Sequence, residues 1–280
     1  MNRMKISCEL PLDILNENYK LNDYDFVLFH LYISNEKYKQ YYKAMRIVHP
    51  DRLMILDNSA YEFYIKGERL DLMKYKQAIE DLNPDYYILP DVLMDREETL
   101  NLVDEYINNY TPNSDARPMA VIQGKSEQEL LQCINIYKQN NINNICIPFH
   151  NSFFKDITRD PDLENSFADE YQLDSLDDLT EDMKYAMGRV MFIVDNNKIL
   201  DDFEYVHLLG SHCPYEKSFY SWINVSSMDT GYPVKLALEH KILGREKKKP
   251  DIIIDDFFNR KLDITEKSLI SANIRLFKEY

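Results

Sequence analysis

Ile55-Leu56-Asp57-Asn58-Ser59-Ala60-Tyr61 passes directly from an apolar run into an acid, an amide and a hydroxyl. The run over 53–56 is continuous rather than alternating, which suits a strand covered on both faces. Three other strings end in the same way: Leu89-Pro90-Asp91, Val121-Ile122-Gln123-Gly124 and Val225-Ser226-Ser227-Met228-Asp229. In a parallel α/β barrel the C-terminal strand ends open onto one mouth, so residues distant in sequence converge there. Such strings predict an α/β fold, a (β/α)8 barrel of the TIM type.

Outward from that stretch, strand-like runs recur at 26–29, 53–56, 86–89, 119–122, 142–147, 206–209 and 223–225, with an eighth expected near Asp251-Ile252-Ile253-Ile254. Amphipathic stretches separate them. Ser126 is a candidate N-cap with Glu129 completing a capping box, and Asp263-Ile264-Thr265-Glu266 opens a helix expected to run to the C-terminus. Alternating strand and helix signals imply a parallel sheet with crossover helices. An open doubly wound sheet would gather its functional residues at one switch point instead. The stretch 152–182 carries eleven acids and no strand pattern, and reads as an acidic insertion or lid after the fifth of these strands, or else as a solvated connector. With no glycine-rich phosphate loop, internal repeat or low-complexity linker, 1–280 reads as a single domain.

The chain has 280 residues, 45% hydrophobic, and a formal net charge of -15. That charge provides no general attraction to a polyphosphate and counts against passive coating of nucleic acid. Arg245-Glu246-Lys247-Lys248-Lys249 is the candidate for a local basic lip. No apolar run approaches the ~20 residues needed to span a bilayer, and the N-terminus lacks the marks of a signal peptide, so no membrane partner and a cytoplasmic location are expected. Cys8, Cys133, Cys146 and Cys213 lack metal-ligand spacing and read as reduced buried thiols. Neither a metal nor a cofactor is expected. His30, His150, His212 and Cys213 fall near strand ends. Loop histidines and cysteines are more often structural than catalytic, and His30 receives no assigned role.

Taken in order, the strings resemble the tRNA-guanine transglycosylase superfamily over roughly 26–238. The family pattern Asp-Ser-Gly-Gly-aromatic-Gln is similar to Asp57-Asn58-Ser59-Ala60-Tyr61-Glu62. Its Pro-Asp string resembles Pro90-Asp91, and its Val-Gln-Gly string resembles Ile122-Gln123-Gly124. Its Leu-Met-Gly and Pro-acid strings resemble Leu208-Leu209-Gly210 and Pro214-Tyr215-Glu216. Its nucleophile segment resembles Met228-Asp229-Thr230-Gly231-Tyr232-Pro233. The family's zinc motif, Cys-x-Cys-x-x-Cys with a later His, is missing, and the chain is short by about the size of that subdomain. The arginines that follow the family nucleophile are also missing, since 230–234 holds none. These departures resemble the phage-type branch that places 7-deazaguanines in DNA. A composition rich in Lys, Asn, Ile and Tyr suits an A·T-rich genome such as many phages have.

The resemblance implies exchange of guanine in DNA for a 7-deazaguanine base such as preQ0, through a covalent Asp–sugar intermediate. It makes Asp229 the nucleophile and Asp57 the general acid/base, facing each other across one cavity. Splitting one displacement into two by a covalent intermediate is ordinary nucleophilic catalysis. It makes Asp91 and Gln123, with Asn58 and Gly124 beside them, readers of the base. A carboxylate accepts from guanine N1–H and the 2-amino group, and an amide donates to O6. Tyr61 would stack on one face of the base and Leu209, followed by Gly210, would cover the other. Pro148, in the place of the family's Gly-Gly-Leu segment, has no N–H to offer the 7-substituent. From the residues alone, each Asp could equally cap a helix, and Tyr61 and Leu209 could be core. The partners implied are DNA, guanine and the 7-deazaguanine base, with a homodimer left open. Three alternatives remain at this point: exchange in tRNA, a barrel hydrolase or isomerase of a small phosphorylated substrate, and an acidic phage binding protein without enzymatic activity.

Overall fold

The computed structural model describes residues 3–244, 250 and 254–280. Its eight strands are β1 (Lys5–Cys8), β2 (Asp25–Leu28), β3 (Met54–Asp57), β4 (Tyr86–Ile88), β5 (Arg117–Val121), β6 (Asn144–Pro148), β7 (Tyr205–Leu209) and β8 (Ser227–Thr230). They run parallel, in the hydrogen-bonded order β1-β8-β7-β6-β5-β4-β3-β2. Parallel pairing and strand–helix alternation in this order make the fold a (β/α)8 barrel of the TIM type.

The chain divides into two compact units. One comprises Met1–Asp23, Phe149–Asp202 and Leu208–Tyr280, and the other Tyr24–Pro148 and Phe203–His207. Within the second unit β2 to β6 pair in register, with Leu28 opposite Asp57 and Ile55 opposite Tyr86. Every residue of β2, β4 and β6 is buried, as continuous apolar strands require. Tyr75 packs under this sheet and donates its hydroxyl to Ile88 O at 2.7 Å, so a buried phenol remains paired.

Two strand positions differ from the sequence expectation. β1 was not expected, because four residues reading Lys-Ile-Ser-Cys carry no apolar run. The expected strand at 223–225 is instead a tight turn, in which Val225 N–H donates to Ile223 O at 2.8 Å. The true strand, β8, lies further on and reads Ser-Met-Asp-Thr, all buried. Its polar side chains hide it from any hydropathy pattern. Of the eighth expected strand, 251–253 lie outside the described residues, and Ile254 opens a helix to Asn259. The basic stretch 245–249 also lies outside them.

The acidic stretch follows β6 and is built rather than merely solvated. It forms the helices Ser152–Asp156 and Pro161–Glu170, then enters the longer helix Glu181–Asp195. Phe167, Tyr171, Leu179, Met183 and Met187 turn inward to a core shared with Phe149 and Cys213. Its acids sit where helix starts want them. Asp160 accepts the Asp162 N–H, and Asp162 and Glu164 occupy the first turn that follows. Ser126 caps its helix as expected, but Glu129 turns its carboxylate to the Lys125 N–H (2.6 Å) instead of closing a capping box. The box at Asp263 and Glu266 is complete, and its helix runs Ile264–Glu279.

Candidate functional site

In the second unit, the ends of β3, β4 and β5 carry one connected polar cluster. Asn58, just past β3, donates through Nδ2 to Asp91 Oδ1 at 2.8 Å and to Leu89 O at 2.8 Å. Gln123, just past β5, donates through Nε2 to Asp91 Oδ2 at 2.7 Å. Both Asp91 oxygens are thus held by amides from flanking strands. Its carboxyl is pushed above the ordinary range by desolvation, against the pull of the Asn58 and Gln123 hydrogen bonds toward the charged form. Gln123 Oε1 accepts the Met94 N–H at 2.9 Å, which fixes the amide's orientation. Gln123 is therefore built as a brace for Asp91.

Asp57 ends β3 half-buried, and its Oδ2 accepts the Ser59 N–H at 2.7 Å. Ser59 takes up a left-handed backbone (φ 57°) at the N-cap of the helix Ala60–Lys66. The family pattern quoted above has glycine at this position, the residue that takes such a conformation without strain. The Ser59 Oγ accepts the His30 N–H at 3.1 Å and lies 3.0 Å from His30 Nδ1. Glu62 Oε2 stands 4.0 Å from the same ring nitrogen. Ser59 and Glu62 were not singled out from sequence. Burial of Glu62, which calls for a polar partner, is visible only in the fold. Tyr61 is 45% exposed and therefore not a core residue. Gly124 permits a close approach, since a Cβ there would stand 2.6 Å from Glu129 Cβ.

In the first unit, Asp229 lies inside β8, buried, and accepts the Gly210 N–H through Oδ1 at 3.0 Å. Gly210 follows β7 with φ 67°, a conformation that suits glycine, and this turn aims its N–H at the carboxylate. Leu209 is half-buried, and its carbonyl accepts the Phe149 N–H (2.9 Å) and Arg189 Nη1 (3.2 Å). That bond occupies the Phe149 N–H, the backbone donor next to Pro148. Arg189 also donates to Gly210 O at 2.8 Å and pairs with Glu216, with both charged side chains fully buried. This guanidinium holds the turn that in turn orients Asp229. Sequence reasoning placed Glu216 in a motif but overlooked Arg189. The clue was a lone cation within the apolar run Ala186-Met187-Gly188-Arg189-Val190, where an unpaired buried charge would be very costly.

Beside this turn, His150, Asp182 and His212 come together, with His212 Nδ1 3.4 Å and His150 Nε2 3.9 Å from Asp182 Oδ1. Burial pushes the His212 imidazole down to about 4, against the opposing pull of Asp182, so the ring is neutral at pH 7. The four cysteines do not reproduce the family's thiolate zinc site. All four are buried, and among the described residues none joins a cluster of three or more possible metal ligands. Among the described residues, no helix is long and apolar enough to cross a membrane. No family model matches the chain, and no curated protein matches it closely.

Proposed function

We propose that this protein is a guanine transglycosylase of the tRNA-guanine transglycosylase type, acting on DNA and exchanging guanine for a 7-deazaguanine such as preQ0. The observation that supports this reading is the Asn58–Asp91–Gln123 cluster. A carboxylate gripped from both sides at a strand end presents two fixed acceptors, the complement of guanine N1–H and its 2-amino group. Adenine would leave those acceptors facing its own N1 acceptor, and a site built this way rejects such an analogue strongly.

In the proposed reaction, an Asp229 oxygen bonds to C1′ as the C1′–N9 bond breaks, and Asp57 gives its proton to a ring nitrogen of the departing guanine. The incoming base then loses its N9 proton to Asp57, and N9 displaces Asp229 from C1′. The sugar keeps its configuration because it is inverted twice, as in retaining glycosidases. The Gly210 N–H fixes the rotation of the Asp229 carboxylate. Tyr61, exposed on the helix after Asp57, stacks on the base or its neighbour, a contact worth roughly 1–3 kcal/mol. The target nucleotide must leave the stack or come from a single strand.

The test is incorporation of radiolabelled guanine into DNA and into tRNA, offered separately, followed by mass spectrometry of nucleosides after exposure to preQ0. Label in DNA and a 7-deazaguanine nucleoside are expected. Label in tRNA alone replaces the substrate assignment. No exchange in either, with tight binding to a protein partner, overturns the enzymatic reading.

A further inference from the structure

We propose that His150, Asp182 and His212 bind one divalent transition-metal ion of the zinc class. This site lies within a single unit and does not depend on the transglycosylase reading. The residues come from three segments that only the fold unites. His150 follows β6, Asp182 is in the first turn of the helix Glu181–Asp195, and His212 follows β7. One ligand atom from each lies within 4.8 Å of the other two. Two imidazoles and a carboxylate are the donor set that zinc and its neighbours prefer, while magnesium and calcium favour all-oxygen shells.

The spacing suits an ion shared among the three side chains. A single oxygen, Asp182 Oδ1, faces two ring nitrogens, at 3.4 Å and 3.9 Å. The first contact is a long hydrogen bond, and the second is too long for one. Around a tetrahedral zinc with bonds of ~2.0–2.1 Å, ligand atoms sit about 3.4 Å from each other.

The surroundings hold the rings in place. The His150 and His212 rings stand 5.0 Å apart between centroids. Phe149 packs against both, at 5.0 Å and 5.4 Å. Tyr185 adds an edge contact to His150 at 5.2 Å, and Tyr232 stacks on His212 at 6.1 Å. An aromatic collar around a polar trio limits the rotation of the rings and so lowers the rotational cost of binding. Three protein ligands leave one coordination position for water or another oxygen ligand. Binding would clip the start of the helix Glu181–Asp195 to the turn Gly210-Ser211-His212 and so stiffen the loop whose N–H holds Asp229.

The full chain, stripped with chelator and dialysed, is titrated with zinc by calorimetry and with cobalt(II) by visible absorption. One equivalent should bind, with the visible bands of a four- or five-coordinate cobalt ion and a zinc-dependent rise in melting temperature. His212→Gln and His150→Gln should each weaken binding by more than the roughly 10–100-fold typical of outer-shell changes, while His240→Gln, on an exposed turn, should leave it unchanged. X-ray absorption of the zinc form, which requires no variant, should show nitrogen and oxygen neighbours and no sulfur. Substoichiometric binding, equal affinity in the His150 and His212 variants, or a sulfur ligand would overturn the proposal.

Discussion

Asp91 is a structural hub held by two amides, and the proposed function makes the same carboxylate the recognition group. Asparagine at this position would turn an N–H2 toward either Asn58 or Gln123, both already donors. Gln123 cannot simply turn over, because its oxygen is committed to the Met94 N–H. Asp91→Asn should therefore cost about 1–3 kcal/mol from the mismatched donor and cut guanine exchange far more than stability. The pH dependence has a definite sign. Burial raises the Asp91 carboxyl, so the folded state holds that proton more tightly than the unfolded chain. Its favourable contribution is present at low pH and fades as pH rises through the raised value. Denaturant unfolding should thus show the variant's deficit shrinking from pH 4 toward neutrality. Asp229→Asn, an isostere at the proposed nucleophile, should lower exchange by at least about 10³-fold and abolish any covalent adduct trapped on denaturing gels. Wild-type turnover in that variant would remove Asp229 from the mechanism.

At the scale of elements, the acidic insertion depends on one close approach. A Cβ on Gly188, in the helix Glu181–Asp195, would stand 1.9 Å from Phe154 O of the helix Ser152–Asp156. Alanine normally gains about 1 kcal/mol over glycine inside a helix. Here the clash is with backbone, which no rotamer change relieves. Gly188→Ala should destabilise by about 1–3 kcal/mol, seen as a lower melting temperature. A rise would mean that the two helices separate freely. The C-terminal helix Ile264–Glu279 is anchored by Lys217, whose ammonium donates to Phe277 O at 3.0 Å. Burial lowers this lysine from its ordinary value to about 8, with Arg3 adding to the effect. The unfolded chain then binds the extra proton above pH 8, so this group's contribution to stability rises from pH 8 toward 10. Lys217→Met should flatten that rise when unfolding free energy is followed across the window.

For the molecule as a whole, charge sets the terms of meeting a polyanion. With a net charge of -15, long-range repulsion opposes any encounter with DNA. A basic DNA-binding protein loses affinity steeply with salt because it releases condensed counterions. Here, screening of the repulsion works in the opposite direction. Raising monovalent salt from about 50 to 200 mM should leave kcat/KM for an oligonucleotide unchanged or raise it. A steep fall in kcat/KM would instead reveal a concentrated basic contact surface.

The parallel α/β class was legible in the sequence, because strands buried on both faces must be continuously apolar and β2 to β7 are largely so. The acids at strand ends, Asp57 and Asp91, could be read for the same reason, since each interrupts an apolar run. β8 could not be read, because its polar residues are stabilised by partners such as Gly210 and Ser211 that belong to another loop. Arg189 was hidden as well, and His150 and His212 were legible only as histidines near strand ends, with nothing to pair them with Asp182. Local patterning reports which face of an element is apolar. Which distant charge or imidazole satisfies a buried group depends on chain segments that only the folded protein brings within bonding distance.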